Sequence, residues 1–109
     1  MIIATKGDWR EHVEGKKTAW LSCGQTGFVD AAVKRFAPGD GRRLFETLKR
    51  FVSSGDFQAI VVLGFDLVLA SCNRQEVLSW IGEHLEDEPG LVLVLCGVDA
   101  NEVPELNIC

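Results

Sequence analysis

The residues best able to carry chemistry form the cluster Ala70-Ser71-Cys72-Asn73-Arg74, which follows a nearly continuous apolar run over residues 59–69. A phosphate on the Ser71 hydroxyl would lie just before a helix N-terminus, where the helix dipole and unpaired amides favour negative charge. Arg74 is close enough in sequence to pair with that phosphate, while Glu76 would oppose it weakly. The alternative is that Ser71 only caps a helix or hydrogen-bonds within a turn. The residue types alone favour this alternative.

The four cysteines, Cys23, Cys72, Cys96 and Cys109, show neither the CxxC spacing of a zinc or redox site nor the density of a disulfide scaffold. We expect them to be free thiols. A thiol nucleophile requires a neighbouring cation or base that lowers its pKa. Cys23 and Cys96 lie at strand ends in apolar sequence, which is typical of buried, inert thiols, whereas Cys72 is more exposed.

Other short motifs are better explained as turns or solvated surface. Gly15-Lys16-Lys17-Thr18 lacks the glycine frame and following helix of a phosphate-binding P-loop, and Gly24-Gln25-Thr26-Gly27 is typical of a strand-to-helix turn. His12 and His84 have no metal-like partner at helical spacing. We therefore expect no metal site and no cofactor.

Length and charge limit the functional classes. The chain has 109 residues, which corresponds to one domain spanning residues 1–109. Its net charge of −5 and its dispersed lysines and arginines argue against nucleic-acid binding and against a local basic groove. No targeting segment and no membrane-spanning run is visible, so we expect a cytoplasmic protein.

The elements that must position the cluster follow from apolar periodicity and turn residues. Residues 9–13 fit either a strand extension or a helical turn, and we expect the first two strands to form an antiparallel pair. The predicted strands are Met1–Thr5, Thr18–Cys23, Ala59–Phe65 (extended by Asp66–Ala70) and Leu91–Gly97, and the predicted helices are Thr26–Ala37, about 40 or 41 to Ser53, and one from Asn73. Crossovers of this length imply parallel strands. The predicted fold class is α/β, with a single mixed, largely parallel sheet and helices packed mainly on one face.

The order of these segments resembles a known family. Ala70-Ser71-Cys72-Asn73 follows an apolar strand, Val77-Leu78 continue the next helix, and the apolar strand Leu91–Val98 comes afterwards. This layout resembles the STAS domain, named for sulfate transporters and anti-sigma factor antagonists, over nearly the whole chain. An Asp-Ser-Ser-Gly-like motif takes the position of residues 70–73 in that family, so only Ser71 matches. Gly27-Phe28-Val29-Asp30 stands where the family often has Gly-x-x-Asp.

The resemblance implies a fold and a role. The family has a small mixed sheet with helices on one face, and in antagonist members a partner kinase, itself an anti-sigma factor, phosphorylates the first serine of the motif. Carried over, that serine is Ser71, and Cys72, Asn73 and Arg74 would belong to the partner-binding surface. We therefore expect a non-enzymatic protein–protein interaction module resembling an anti-sigma factor antagonist.

The sequence leaves two alternatives open. One is a small thiol- or phosphate-handling enzyme that uses Cys23 or Cys72 at the sheet edge. The other is an accessory subunit or inhibitor scaffold without a switch. The expected partner in the main hypothesis is a protein, either an anti-sigma kinase or a larger assembly.

Overall fold

The structure is a computed structural model that describes residues 1–24, 33–85 and 90–106. Five strands and three α-helices occur in these residues. The strands are β1 (Ile2–Thr5), β2 (Thr18–Cys23), β3 (Lys34–Phe36), β4 (Ala59–Leu63) and β5 (Val92–Cys96), and the helices are α1 (Gly41–Ser54), α2 (Phe65–Ser71) and α3 (Arg74–Leu85). Short 3-10 turns at Arg10–His12 and Ala100–Glu102 complete the described elements.

The strands form one five-stranded sheet in the order β1-β5-β4-β2-β3, and every pairing is parallel. The two central apolar strands, β4 and β5, are buried at all their residues, as expected for strands covered on both faces. The predicted α/β fold with a largely parallel sheet is confirmed. The predicted antiparallel pairing of the first two strands is wrong, because β1 pairs with β5 while β2 pairs with β3 and β4.

The three helices pack on one face of the sheet, as predicted, and enclose the larger core. Its fully buried side chains include Phe65 of α2 and Leu44 of α1. The opposite face is covered by the connection from β1 to β2, which places Trp9 and Val13 against β4 and β5. Trp9 and Trp20 pack with their ring centroids 5.4 Å apart. None of the helices in the described ranges is both long and apolar enough to cross a lipid bilayer.

Two segments differ from the sequence-based prediction. Asp66–Ala70, expected as a strand extension after Phe65, belong to α2 (Phe65–Ser71), because Gly64 turns the chain sharply with φ of 75° directly after β4. Lys34–Phe36, expected as the end of a helix, forms β3, where the amide of Gly24 donates to the Phe36 carbonyl at 2.9 Å. Pro38 two residues later restricts the preceding backbone to extended conformations. The rest of that predicted helix, residues 26–32, lies outside the described residues.

Candidate functional site

Ser71 is the last residue of α2, and its side chain joins two segments distant in sequence. Its Oγ lies 2.9 Å from the carbonyl oxygen of Leu67, in the preceding turn, and 2.9 Å from the carbonyl oxygen of Pro38. The single hydroxyl hydrogen is therefore shared between two acceptors. The sequence predicts Ser71 at the carboxyl end of β4. This prediction is wrong, because α2 lies between β4 and Ser71. The half-buried hydroxyl instead holds the end of α2 against the loop before α1.

The contact between α1 and α2 at this point is close. A Cβ added to Gly41 would lie 2.8 Å from the Cα of Val68 and 2.9 Å from the Cβ of Ser71. Only glycine at position 41 allows the two helices to approach so closely. The start of α1 and the end of α2 are therefore in direct contact beside the Ser71 side chain.

Beside this contact lies a small concavity of about 100 Å³, the junction concavity. Its lining residues come from α1 and from the region where α2 passes into α3: Arg42, Phe45, Glu46, Ser71, Cys72, Asn73 and Glu76. The structure thus brings three of the four predicted site residues together in one concavity. It also adds a cation, Arg42, that the sequence reasoning did not connect with Ser71.

Asn73, where the sequence predicts the last helix to begin, has a structural role. Its Oδ1 accepts a hydrogen bond from the backbone amide of Glu76 at 3.1 Å and so caps the N-terminus of α3. This capping fixes the direction in which α3 leaves the junction. Asn73 is otherwise exposed, and the part of its side chain not used in the cap remains at the surface.

Arg74 is paired with the C-terminal segment in the unmodified chain. Its Nε and Nη2 each lie 3.0 Å from a carboxylate oxygen of Glu105, and Nη2 also donates to the Glu102 carbonyl oxygen at 2.6 Å. The hydrogen bonds from Arg74 hold the pKa of the Glu105 carboxyl below its usual value. Arg74 thus fastens the C-terminal segment to α3, and a phosphate on Ser71 would compete with Glu105 for this guanidinium.

The three cysteines in the described part of the chain all have raised pKa values. Burial raises the pKa of Cys23 and of Cys72, and although Arg42 lowers the pKa of Cys72, burial has the larger effect. Burial raises the pKa of Cys96 to about 12. Cys23 and Cys96 are buried, as predicted, and Cys72 is more exposed. All three shifts oppose the thiolate form that nucleophilic catalysis requires. Cys109 lies outside the described residues.

A second surface was missed by the sequence reasoning. Lys34 and Arg35 of β3 and Arg43 and Arg50 of α1 line a groove of about 420 Å³, here called the β3–α1 groove, together with Phe36, Glu46 and Thr47. The expectation of no local basic groove is therefore wrong. Arg43 and Arg50 are seven residues apart and share one face of α1, which the sequence does indicate. The contribution of Lys34 and Arg35 was hidden because β3 was predicted as helix.

Charged groups also meet at the carboxyl end of β1. Lys6 Nζ lies 2.8 Å from Glu102 Oε1 and 3.9 Å from Asp99 Oδ2. The hydrogen bond that Lys6 donates to the Glu102 carboxylate raises the pKa of Lys6. These contacts attach the 3-10 turn after β5 to the end of β1. Across residues 1–24, 33–85 and 90–106, no three His, Cys, Asp or Glu side chains converge in a way that would hold a metal ion.

Comparison of the chain with protein-family models, with curated protein sequences and with solved structures found no match.

Proposed function

We propose that this chain is a non-enzymatic protein–protein interaction module whose α2–α3 junction is switched by phosphorylation of Ser71. The observation that carries the proposal is the shared hydrogen bond of the Ser71 hydroxyl, which links Leu67 in α2 to Pro38 before α1. A modification of this one atom acts on two segments at once. The STAS resemblance supports the same serine.

The chemistry of the switch is a phosphoryl transfer. A partner kinase moves the γ-phosphoryl group of a nucleoside triphosphate to Ser71 Oγ, so that an O–P bond forms, the hydroxyl proton departs and a nucleoside diphosphate leaves. The modified serine has no hydrogen to donate, and both hydrogen bonds are lost. The phosphate adds about −1.5 to −2 charges at neutral pH.

The surroundings of Ser71 determine the response. The phosphate would face the carbonyl oxygens of Leu67 and Pro38 at the negative end of the α2 dipole. Glu46 and Glu76 line the same concavity and would repel it, whereas Arg42 would attract it. Phosphorylation therefore separates the loop at Pro38 from α2 and draws the phosphate towards Arg42. The surface presented to a partner changes shape and charge together.

The raised pKa values of Cys23, Cys72 and Cys96 support a binding role over a thiol enzyme. The proposed setting is the reducing cytoplasm, and the proposed partner is a protein, either an anti-sigma kinase or a larger assembly. Nucleic acid is not part of the proposal, since the net charge is −5.

The direct test is to purify the tagged chain from its native host and to map phosphate by mass spectrometry. Ser53, an exposed serine of α1, is the internal control. The proposal predicts phosphate on Ser71 with little on Ser53, and a co-purifying protein whose amount changes in the Ser71→Ala variant. A co-purifying partner that is indifferent to Ser71→Ala, with no phosphate at that position, would support an unswitched scaffold instead.

A further inference from the structure

The β3–α1 groove concentrates positive charge on a chain that is acidic as a whole. Four cations, Lys34, Arg35, Arg43 and Arg50, line it, and its lining contains one carboxylate, Glu46. That carboxylate also pairs with Lys49, whose Nζ lies 3.3 Å from Glu46 Oε1. Asp40, just outside the groove, lies 3.8 Å from Arg43 in an exposed ion pair that an acidic ligand can replace. The chain carries 11 lysines and arginines and 16 acidic residues, so a positively charged groove is opposite in sign to the net charge of the chain.

The cations are spread along the groove. Arg43 and Arg50 are seven residues apart on α1, and at a rise of about 1.5 Å per residue their backbones lie roughly 10 Å apart along the helix axis. Lys34 and Arg35 add charge along β3, on the other side of the groove. A single small anion contacts one or two such cations. Lys34 and Arg35 are neighbours in β3, so their side chains leave opposite faces of the strand, and Lys34 is the one on the side of α1. An extended segment with several negative charges can contact Lys34, Arg43 and Arg50 together.

The strand that borders the groove fits an extended peptide. β3 is the terminal strand of the sheet as described and pairs with β2 on one side. Exposed backbone groups of an edge strand can pair with an added strand of a partner chain. The residues Lys34 and Arg35 are exposed there, so side chains of a bound strand would meet positive charge.

Single-stranded nucleic acid fits less well. Proteins that bind single strands combine basic grooves with aromatic side chains on which bases stack. The aromatic residue of this groove is Phe36, which is half-buried and packs against the core. The only large hydrophobic side chain exposed in the described part of the chain is Met1.

We infer that the β3–α1 groove binds an extended acidic segment of a partner protein. This inference rests on the proposed role as a protein–protein interaction module and names the chemistry of its partner.

The Ser71 site and the groove adjoin the same helix, since Arg42 lines the junction concavity and Arg43 lines the groove. An opening of the junction at Pro38 would therefore move the start of α1 and one of the cations.

The test uses the full chain and a fluorescein-labelled octaglutamate peptide, read by fluorescence anisotropy at about 20 mM and about 150 mM NaCl. The variant Arg43→Gln/Arg50→Gln removes two groove cations. The matched control, Arg10→Gln/Lys16→Gln, removes two cations that line the concavity beside Trp9 and Trp20. We expect saturable, salt-sensitive binding that weakens about fivefold or more in the groove variant and less than about twofold in the control.

A second measurement avoids dependence on the variants. Amide chemical shifts of the unmodified chain should change on titration with octaglutamate at residues 34–36 and 43–50, and remain unchanged at residues 10–16. No binding, equal loss in both variants, or shifts outside the groove would overturn the inference. Displacement by millimolar inorganic phosphate, or equal binding of a single-stranded oligonucleotide of the same charge, would also overturn it. None of these outcomes bears on whether Ser71 is phosphorylated, which the mass-spectrometric mapping tests. The failure of one proposal can therefore be distinguished from the failure of the other.

Discussion

The carboxylate of Glu105 receives two hydrogen bonds from the guanidinium of Arg74, with Nε 3.0 Å from Oε2 and Nη2 3.0 Å from Oε1. The pair joins the first turn of α3 to the C-terminal segment, 31 residues further along the chain. It fixes one side of the α2–α3 junction. The other side depends on Ser71 and its contact with Pro38, so a charge placed on Ser71 acts on the half of the junction that Arg74 and Glu105 do not hold.

Replacement of Ser71 by alanine should lower the free energy of unfolding by about 1 kcal/mol, because the shared hydrogen bond is lost and the Pro38 and Leu67 carbonyls lose their donor. Urea denaturation measures this change. Ser53→Ala is the control, since Ser53 is exposed in α1 and alanine favours helix. An equal effect of the two variants would mean that the Ser71 contact does not stabilise the junction.

Asn73 should be replaceable by aspartate but not by alanine. Aspartate retains an oxygen that accepts the Glu76 amide, whereas alanine leaves that amide uncapped and should cost about 1 kcal/mol of stability. Thermal and urea unfolding of the two variants test this. Similar losses in both variants would show that the cap has little influence on α3.

The turn after β4 should tolerate no side chain. Gly64 has φ of 75°, and a Cβ there would lie 2.2 Å from the carbonyl oxygen of Cys23. Gly55 has φ of 68°, but a Cβ there would meet nothing within 4 Å. A substitution at Gly55 therefore measures the cost of the backbone strain alone, without a steric clash. We expect Gly55→Ala to cost about 1 kcal/mol and Gly64→Ala at least about 2 kcal/mol more. Equal costs would contradict the close approach of β2 and β4.

Several parts of this fold could be predicted from local patterns alone. The apolar runs of β4 and β5 and the Asn73 cap indicate their elements without knowledge of the tertiary structure. By contrast, the apolar run 65–69 fits a strand as well as a helix. The strand β4 ends because the backbone turns at Gly64, and residues 65–69 then form part of α2. The pairing of Arg74 with Glu105 joins residues far apart in sequence, which no local pattern reveals.

The same limit applies to the two functional surfaces. The sequence indicated Ser71 as a candidate residue. Its contact with Pro38, 33 residues away, could not be predicted, because the contact depends on the packing of α1 against α2. The β3–α1 groove depends on the placement of Lys34 and Arg35 on a strand beside β2. Because charges that are dispersed in sequence can converge in space, the count of cations gave no indication of the groove.

The buried thiol of Cys96 should make stability fall in alkaline solution. Burial raises its pKa from 9.0 to about 12 in the folded chain, so the unfolded chain loses its proton first as the pH rises. The stabilising contribution is complete below about pH 9 and is lost as the pH approaches 12. The difference in unfolding free energy between the parent chain and Cys96→Ala, measured from pH 7 to 11, should therefore shrink. A constant difference would mean that Cys96 does not titrate in this way.

The central claim is that phosphate on Ser71 controls binding to a protein partner. The most direct test compares the chain carrying phosphoserine at position 71 with the chain carrying it at position 53, both used to capture proteins from the native host. Quantitative mass spectrometry then gives the ratio of each captured protein. The account predicts a partner whose capture changes about tenfold or more with phosphate at Ser71, relative to the unmodified chain, and not with phosphate at Ser53. Identical capture by the unmodified chain and both phosphorylated chains would contradict it.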